Sequence, residues 1–178
     1  MEILNVIDYF MAKRVVTKVG DVFCANIDGK YKRYLQYIIS DLTQLNSDVV
    51  RVFKEKYPID AEPKLDEVVK GEVDFYAHCV VSGGVKRGLW EKVGKCADVG
   101  DVEHIIFRCK GIMIDGDFKD DYGWRVWYVN QPMVKYHSLR DEHKQSFLGS
   151  VFPPECILYK MKNGLYIGAT GKEELDFS

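Results

Sequence analysis

Histidine sits beside cysteine once in this chain, at His78-Cys79, and a thiol next to an imidazole is the pairing that activates a sulfur nucleophile. The surrounding run, Val73 to Val81, reads as a strand. Neighbouring side chains on a strand point to opposite faces, so these two cannot meet. His104, His137 and His143 stand at no spacing from a Cys, Ser or carboxylate that spells out a triad, and a triad assembled from distant positions stays open. Asp115 to Asp121 has the acidic look of a calcium loop. Its fifth position is Lys119, its sixth is Asp120 where glycine is needed, and its twelfth is Val126 where a bidentate glutamate is needed. A solvated hairpin tip is the better reading. Gly83-Gly84-Val85-Lys86-Arg87-Gly88 lacks the spacing of a phosphate-cradling loop. Cys24, Cys79, Cys96, Cys109 and Cys156 contain no Cys-x-x-Cys pair, so neither zinc nor a redox motif is indicated. They are expected as free thiols of a cytoplasmic protein. The chain calls for no catalytic residue, metal or cofactor.

Chemistry here therefore means recognition. Lys30, Tyr31, Lys32, Arg33 and Tyr34 interleave cations with aromatics, as a strip that grips single-stranded RNA would. On a strand, Lys32 and Tyr34 share one face while Tyr31 and Arg33 take the other, which divides the strip. The net charge is −2 and the pI about 6.1, without the basic excess of a duplex-binding protein. Acidic residues cluster instead. Asp60, Glu62, Asp66, Glu67, Glu72 and Asp74 are opposed only by Lys64 and Lys70. A solvated face is the ordinary fate of such a run, and a contact surface for a basic partner is the sharper one. Asp60, Glu62, Asp66 and Glu67 are taken as candidate partner-binding residues, with Trp90 and Trp124 as candidate aromatic anchors, although a Trp among strands is more often core.

The elements that must carry these residues are mostly strands. A chain of 178 residues suits a single domain over 1–178. Gly20 to Ile27 and Lys30 to Ser40 flank Asp28-Gly29, a pair that favours the positive φ of a hairpin turn. Further strands are expected at 48–53, 73–81, 104–109, 112–114 and 123–129, with Ser82-Gly83-Gly84 as a stop, Leu89 to Gly94 as a short extended or turn segment and Asp115-Gly116 as a turn. Cys156 to Lys162 and Leu165 to Thr170 flank Asn163-Gly164, which reads as a second hairpin. Short helices are expected at 2–13, where Ile3, Leu4, Ile7, Phe10 and Met11 recur at helical spacing, at 65–70 and at 139–148. The N-terminus has no basic region of the kind that opens a signal peptide, and no apolar run reaches the length of a membrane span. The fold class is α+β with β dominant: a strongly bent antiparallel sheet or small SH3-like barrel with two or three short helices.

Five short segments carry a resemblance. They are Val19-Gly20-Asp21-Val22-Phe23, the turn Asp28-Gly29-Lys30-Tyr31, Val49 to Phe53, Gly88-Leu89-Trp90-Glu91-Lys92-Val93-Gly94, and Gly149 to Pro154 running into Lys162-Asn163-Gly164. Their order and rough spacing resemble immunity protein family 26 of bacterial polymorphic toxin systems. Residues 111–136 match poorly and read as a local elaboration. The resemblance implies a non-enzymatic cytoplasmic protein that binds and neutralises a cognate toxin. A Gly-Asp-Val opener before a hairpin is also similar to the plasmid-encoded endoribonuclease toxins with SH3-like barrels. That alternative is a nucleic-acid-binding or RNA-cleaving barrel, with Lys32, Arg33 and Tyr34 as its first candidates.

Overall fold

The computed structural model describes residues 15–114, 117–167 and 173–174, with backbone alone for 111–114, 117–122 and 173–174. The expected helix at 2–13 and the expected turn at Asp115-Gly116 lie outside the described residues. Strand β1 (Asp21–Ile27) turns at Asp28-Gly29 into β2 (Tyr31–Asp41). Both turn residues hold positive φ, 54° and 67°, and the Asn26 side chain accepts a hydrogen bond from Gly29 N at 2.8 Å. A residue without Cβ is what this geometry favours at the second position. β3 (Ser47–Phe53) and β4 (Val73–Cys79) continue the antiparallel ladder, and β5 (Glu91–Lys95) pairs on the far side of β1. A two-residue strand, β10 (Val151–Phe152), joins β4 in parallel and completes a six-stranded sheet. A second sheet holds β6 (Ile106–Ile114), β7 (Asp117–Tyr128), β8 (Val134–Tyr136) and β9 (Phe147–Leu148). A short ribbon pairs β11 (Tyr166–Ile167) with β12 (Glu173–Glu174). The protein is β-dominant α+β, with its strands divided between two mixed sheets.

Alternation along the strands builds two cores on the first sheet. One face carries Phe23, Leu35, Val50, Val52, Phe75 and Ala77. It is covered by α2 (Val81–Lys86) and α3 (Pro154–Asn163), through Val81, Ile157 and Met161, and by Trp90. The other face carries Val22, Cys24, Tyr34 and Phe53 beneath α1 (Leu65–Val68) and Cys96. Each large apolar side chain buried this way contributes about 1.5–3 kcal/mol. Gln36 and Arg51 stand among them and are satisfied internally. Arg51 Nε donates to Gln36 Oε1 at 2.8 Å, and Gln36 Nε2 donates to the Cys96 and Asp98 carbonyls at 3.1 Å each.

Asn163-Gly164 is not a hairpin, which corrects the second turn expected from sequence. Residues 156–162 are helical, and Gly164 ends α3 with φ 82° and its N–H bonded to the Lys160 carbonyl at 2.8 Å. Gly at positive φ serves a helix end as well as a hairpin. The helix has its own sequence signals: Pro154 in the first turn, buried Ile157 and Met161 four apart, and Lys160 and Lys162 in the last turn. Ser82-Gly83-Gly84 is likewise no stop, because it lies inside α2. Gly84 is needed there: a Cβ would lie 2.0 Å from Trp90 Cζ2. Residues 139–148 hold a single 3-10 turn at Asp141–His143 followed by β9. Arg108 Nη1 takes the Lys144 carbonyl at 2.6 Å, an acceptor that a continuing helix would have used.

A third cluster, Ile38, Val49, Ile105, Phe107, Trp127 and Val129, joins the two sheets. Asp41 is its polar centre and is fully buried. Its Oδ2 accepts from His78 Nε2 and from Trp127 Nε1, both at 3.0 Å, while Oδ1 faces the amides of Thr43, Gln44 and Asn130 at 3.3–3.4 Å. One carboxylate thus ties the end of β2 to β4 and β7. Trp127 lies within the stretch read as an elaboration, so that stretch takes part in the junction.

Candidate functional site

The chain leaves β3 at Phe53 and returns to the sheet at Tyr57, whose backbone exchanges two hydrogen bonds of 2.9 Å with Lys32. This bridge sets the Tyr57 ring edge-on against Tyr34, with centroids 5.2 Å apart. A turn closed by Ala61 N on the Pro58 carbonyl then leads past Asp60 and Glu62 into α1, whose first turn holds Asp66 and Glu67. All four acidic side chains are exposed. Burial raises the Tyr34 hydroxyl pKa well above its ordinary value, with Glu62 among the charges adding to it. Tyr57 is pushed up to about 12 by burial, by its hydrogen bond to Glu55 and by the charges of Glu55 and Glu67. Glu62 thus acts on Tyr34, and Glu55 and Glu67 on Tyr57, the two rings of one edge-on pair. Asp66 adjoins them and accepts a hydrogen bond from the Cys96 thiol at 3.3 Å. Ile59, 41% exposed, offers an apolar side chain within the same segment.

The rest of the acidic stretch is paired: Asp74 with the buried Arg33 at 2.7 Å, and Glu72 with Lys54 at the surface. Glu67 has only the exposed Lys64 at 3.7 Å, a weak surface pair. Among the described residues no cation pairs with Asp60, Glu62 or Asp66.

The two tryptophans fare differently. Trp90 is core: it is 3% exposed, lies on Gly84 and donates from Nε1 to the Val81 carbonyl at 3.2 Å. Its ring is therefore no anchor, because a partner cannot reach it. Trp124 is partly buried on the second sheet, with the Arg108 guanidinium 5.7 Å over its ring, whereas the acidic segment flanks the first sheet. The structure does not bring the two together.

No family model, curated protein or solved structure matches this chain.

The cation–aromatic strip is split as the strand parity requires. Arg33 is buried, donating to the Phe53 carbonyl and to the Met161 carbonyl at 2.6 Å, and Tyr34 is buried on the opposite face. His78 and Cys79 also point apart, His78 to Asp41 and Cys79 into the helix-covered core. Burial pushes the Cys79 thiol up to about 12, which leaves it unreactive as a nucleophile. All five cysteines are free. Among the described residues no group of three His, Cys, Asp or Glu side chains is placed to hold a metal ion, and no helix is long and apolar enough to cross a membrane. The polar residues that sequence reasoning missed are Asp41, Trp127 and Arg108. Their partners come from distant segments, and no local spacing signals such pairings.

Proposed function

We propose that the chain is an immunity protein of the cytoplasm, which binds a cognate bacterial toxin and blocks it by surface complementarity. The observation that carries this reading is the exposed acidic face built from Asp60, Glu62, Asp66 and Glu67 around the Tyr34–Tyr57 pair. Toxins that act on nucleic acid present basic clefts, and an acidic patch both steers the encounter and excludes wrong partners. A tight complex covers roughly 1,200–2,000 Å² in total, with a few residues supplying most of the energy. The segment resemblance to immunity protein family 26 points the same way. The competing RNA-binding barrel would need Arg33 and Tyr34 at the surface, and both are buried.

Co-expression with a toxin domain taken from a neighbouring gene tests the reading. Growth should be rescued by the wild type and lost on replacing Glu62 and Glu67 with lysine, with circular dichroism unchanged. Full protection by the reversed variant removes this face from the interface. Absence of protection combined with RNA cleavage by the wild type, dependent on Lys32, replaces the immunity reading.

A further inference from the structure

Two turns lie side by side where the second sheet meets the connection between β2 and β3. Asp101 shapes the first, which leads into β6: its Oδ1 accepts from Glu103 N at 3.2 Å and its Oδ2 from His104 Nδ1 at 2.6 Å. The second follows β7 and is closed by Gln131 N on the Tyr128 carbonyl at 2.9 Å, with Asn130 at φ 59°. Gln44 Nε2 donates to the Gln131 carbonyl and Asn130 Nδ2 to the Ser40 carbonyl, both at 2.9 Å, so the β2–β3 connection braces this turn. Val129 N bonds to the Ile105 carbonyl at 3.2 Å and fixes one turn against the other. A cleft of about 490 Å³ opens between them, lined by Glu103, His104, Tyr128, Val129 and Gln131. We propose that this cleft takes the guanidinium of an arginine presented by a partner peptide or protein.

Charge is the first argument. Neither Lys nor Arg lines the cleft, and among the described residues no cation pairs with Glu103. Asp101 is committed to His104, so Glu103 supplies the uncompensated negative charge. The second argument is the set of acceptors. Because Nδ1 donates to Asp101, Nε2 of the neutral His104 ring is left to accept. The Tyr128 hydroxyl and the Gln131 side-chain amide also have no hydrogen-bond partner among the described residues. A planar guanidinium, with its fork of N–H donors, meets several acceptors at once where an ammonium group offers a point charge. The ring is the third argument. Tyr128 is 40% exposed, and guanidinium groups stack on aromatic faces. Other ligands fit these residues less well. The lining holds no fixed cation for an anion, and among the described residues no group of three His, Cys, Asp or Glu side chains is placed to hold a metal ion. The volume falls within the roughly 300–1,000 Å³ of ligand pockets, which leaves room for the backbone on either side of the arginine. Free arginine would bring its own carboxylate toward Glu103, whereas within a peptide that group is an uncharged amide.

Amide chemical shifts followed during titration with N-acetyl-arginine amide, at constant ionic strength and about pH 8, test the assignment. Saturable shifts are expected at Glu103, His104, Tyr128 and Gln131. Glu103→Gln should weaken the affinity by about fivefold and Tyr128→Leu by about threefold. N-acetyl-lysine amide and free arginine should each bind more weakly than the arginine amide. Shifts that rise without saturating overturn the proposal, as does a Glu103→Gln protein that binds like the wild type. Equal or tighter binding of the lysine analogue or of free arginine overturns it too. Glu103 is exposed, so its variant reports on binding even where Tyr128→Leu disturbs β7. Lysine at Glu62 and Glu67 should leave this affinity unchanged, which keeps the cleft separate from the toxin-facing reading.

Discussion

Asp41 does more for this fold than any other single polar side chain described. It is fully buried, and its two oxygens receive an imidazole, an indole and backbone amides from different parts of the chain. Burial alone would raise its pKa. The hydrogen bonds from His78, Trp127 and Gln44 outweigh that and hold the carboxyl below its ordinary 3.8. Asp41→Ala leaves these donors without an acceptor and should cost about 3–5 kcal/mol in urea denaturation. His78 has the opposite chemistry and the same pH consequence. Burial lowers its pKa below the ordinary 6.5, more strongly than Asp41 raises it, so the ring is neutral with its proton on Nε2. The unfolded chain takes up that proton below about pH 6.5 and the folded chain does not. Stability should therefore decline as pH falls from 6.5 toward the folded value, by at most about 1.4 kcal/mol per pH unit for one proton. Asp41 adds a lower limb: its contribution is complete above pH 3.8 and is lost as pH falls through its depressed folded value. Denaturation measured from pH 4 to 8 should lose the upper limb in His78→Phe. An unchanged upper limb would place the responsible group elsewhere.

Glycines separate two kinds of constraint at the scale of the elements. At Gly29 an added Cβ meets nothing within 4 Å, so a side chain there costs only the backbone strain of φ 67°. Gly29→Val should lose about 1–2 kcal/mol without changing tryptophan fluorescence. Gly84 has ordinary φ, and a Cβ would meet Trp90 at 2.0 Å. Gly84→Ala should destabilise by about 1–3 kcal/mol through overpacking and should shift the emission of Trp90, a difference that paired denaturation and fluorescence measurements will show. These positions also mark where the sequence was legible. The first hairpin could be read because Asp-Gly between alternating strands has one common use. Asn163-Gly164 was ambiguous, because a helix end needs the same left-handed residue. Pro154 and the Ile157–Met161 spacing would have decided for the helix. The acidic run was legible as a surface, whereas the pairing of Glu72 and Asp74 was not, since their partners Lys54 and Arg33 come from other segments. Trp90 and Trp124 look alike in sequence. Only the packing of α2 shows that the first is core.

Across the whole molecule, the first sheet is covered on both faces: α3 lies on one, and α1 with the acidic face shares the other with the second sheet. The edge strand β5 exposes Glu91, Lys92 and Lys95, charges that discourage edge-to-edge pairing with other chains and leave recognition to side chains. The central claim concerns the acidic face, so its most direct test is the affinity for the proposed partner, a purified toxin domain taken from a neighbouring gene. Titration calorimetry with wild type and with Glu62→Lys plus Glu67→Lys, each at low and high salt, makes that measurement. The account predicts tight wild-type binding that weakens with salt, and a loss of about a hundredfold or more in the charge-reversed protein with its fold intact. Equal affinity of the two proteins, independent of salt, would contradict it.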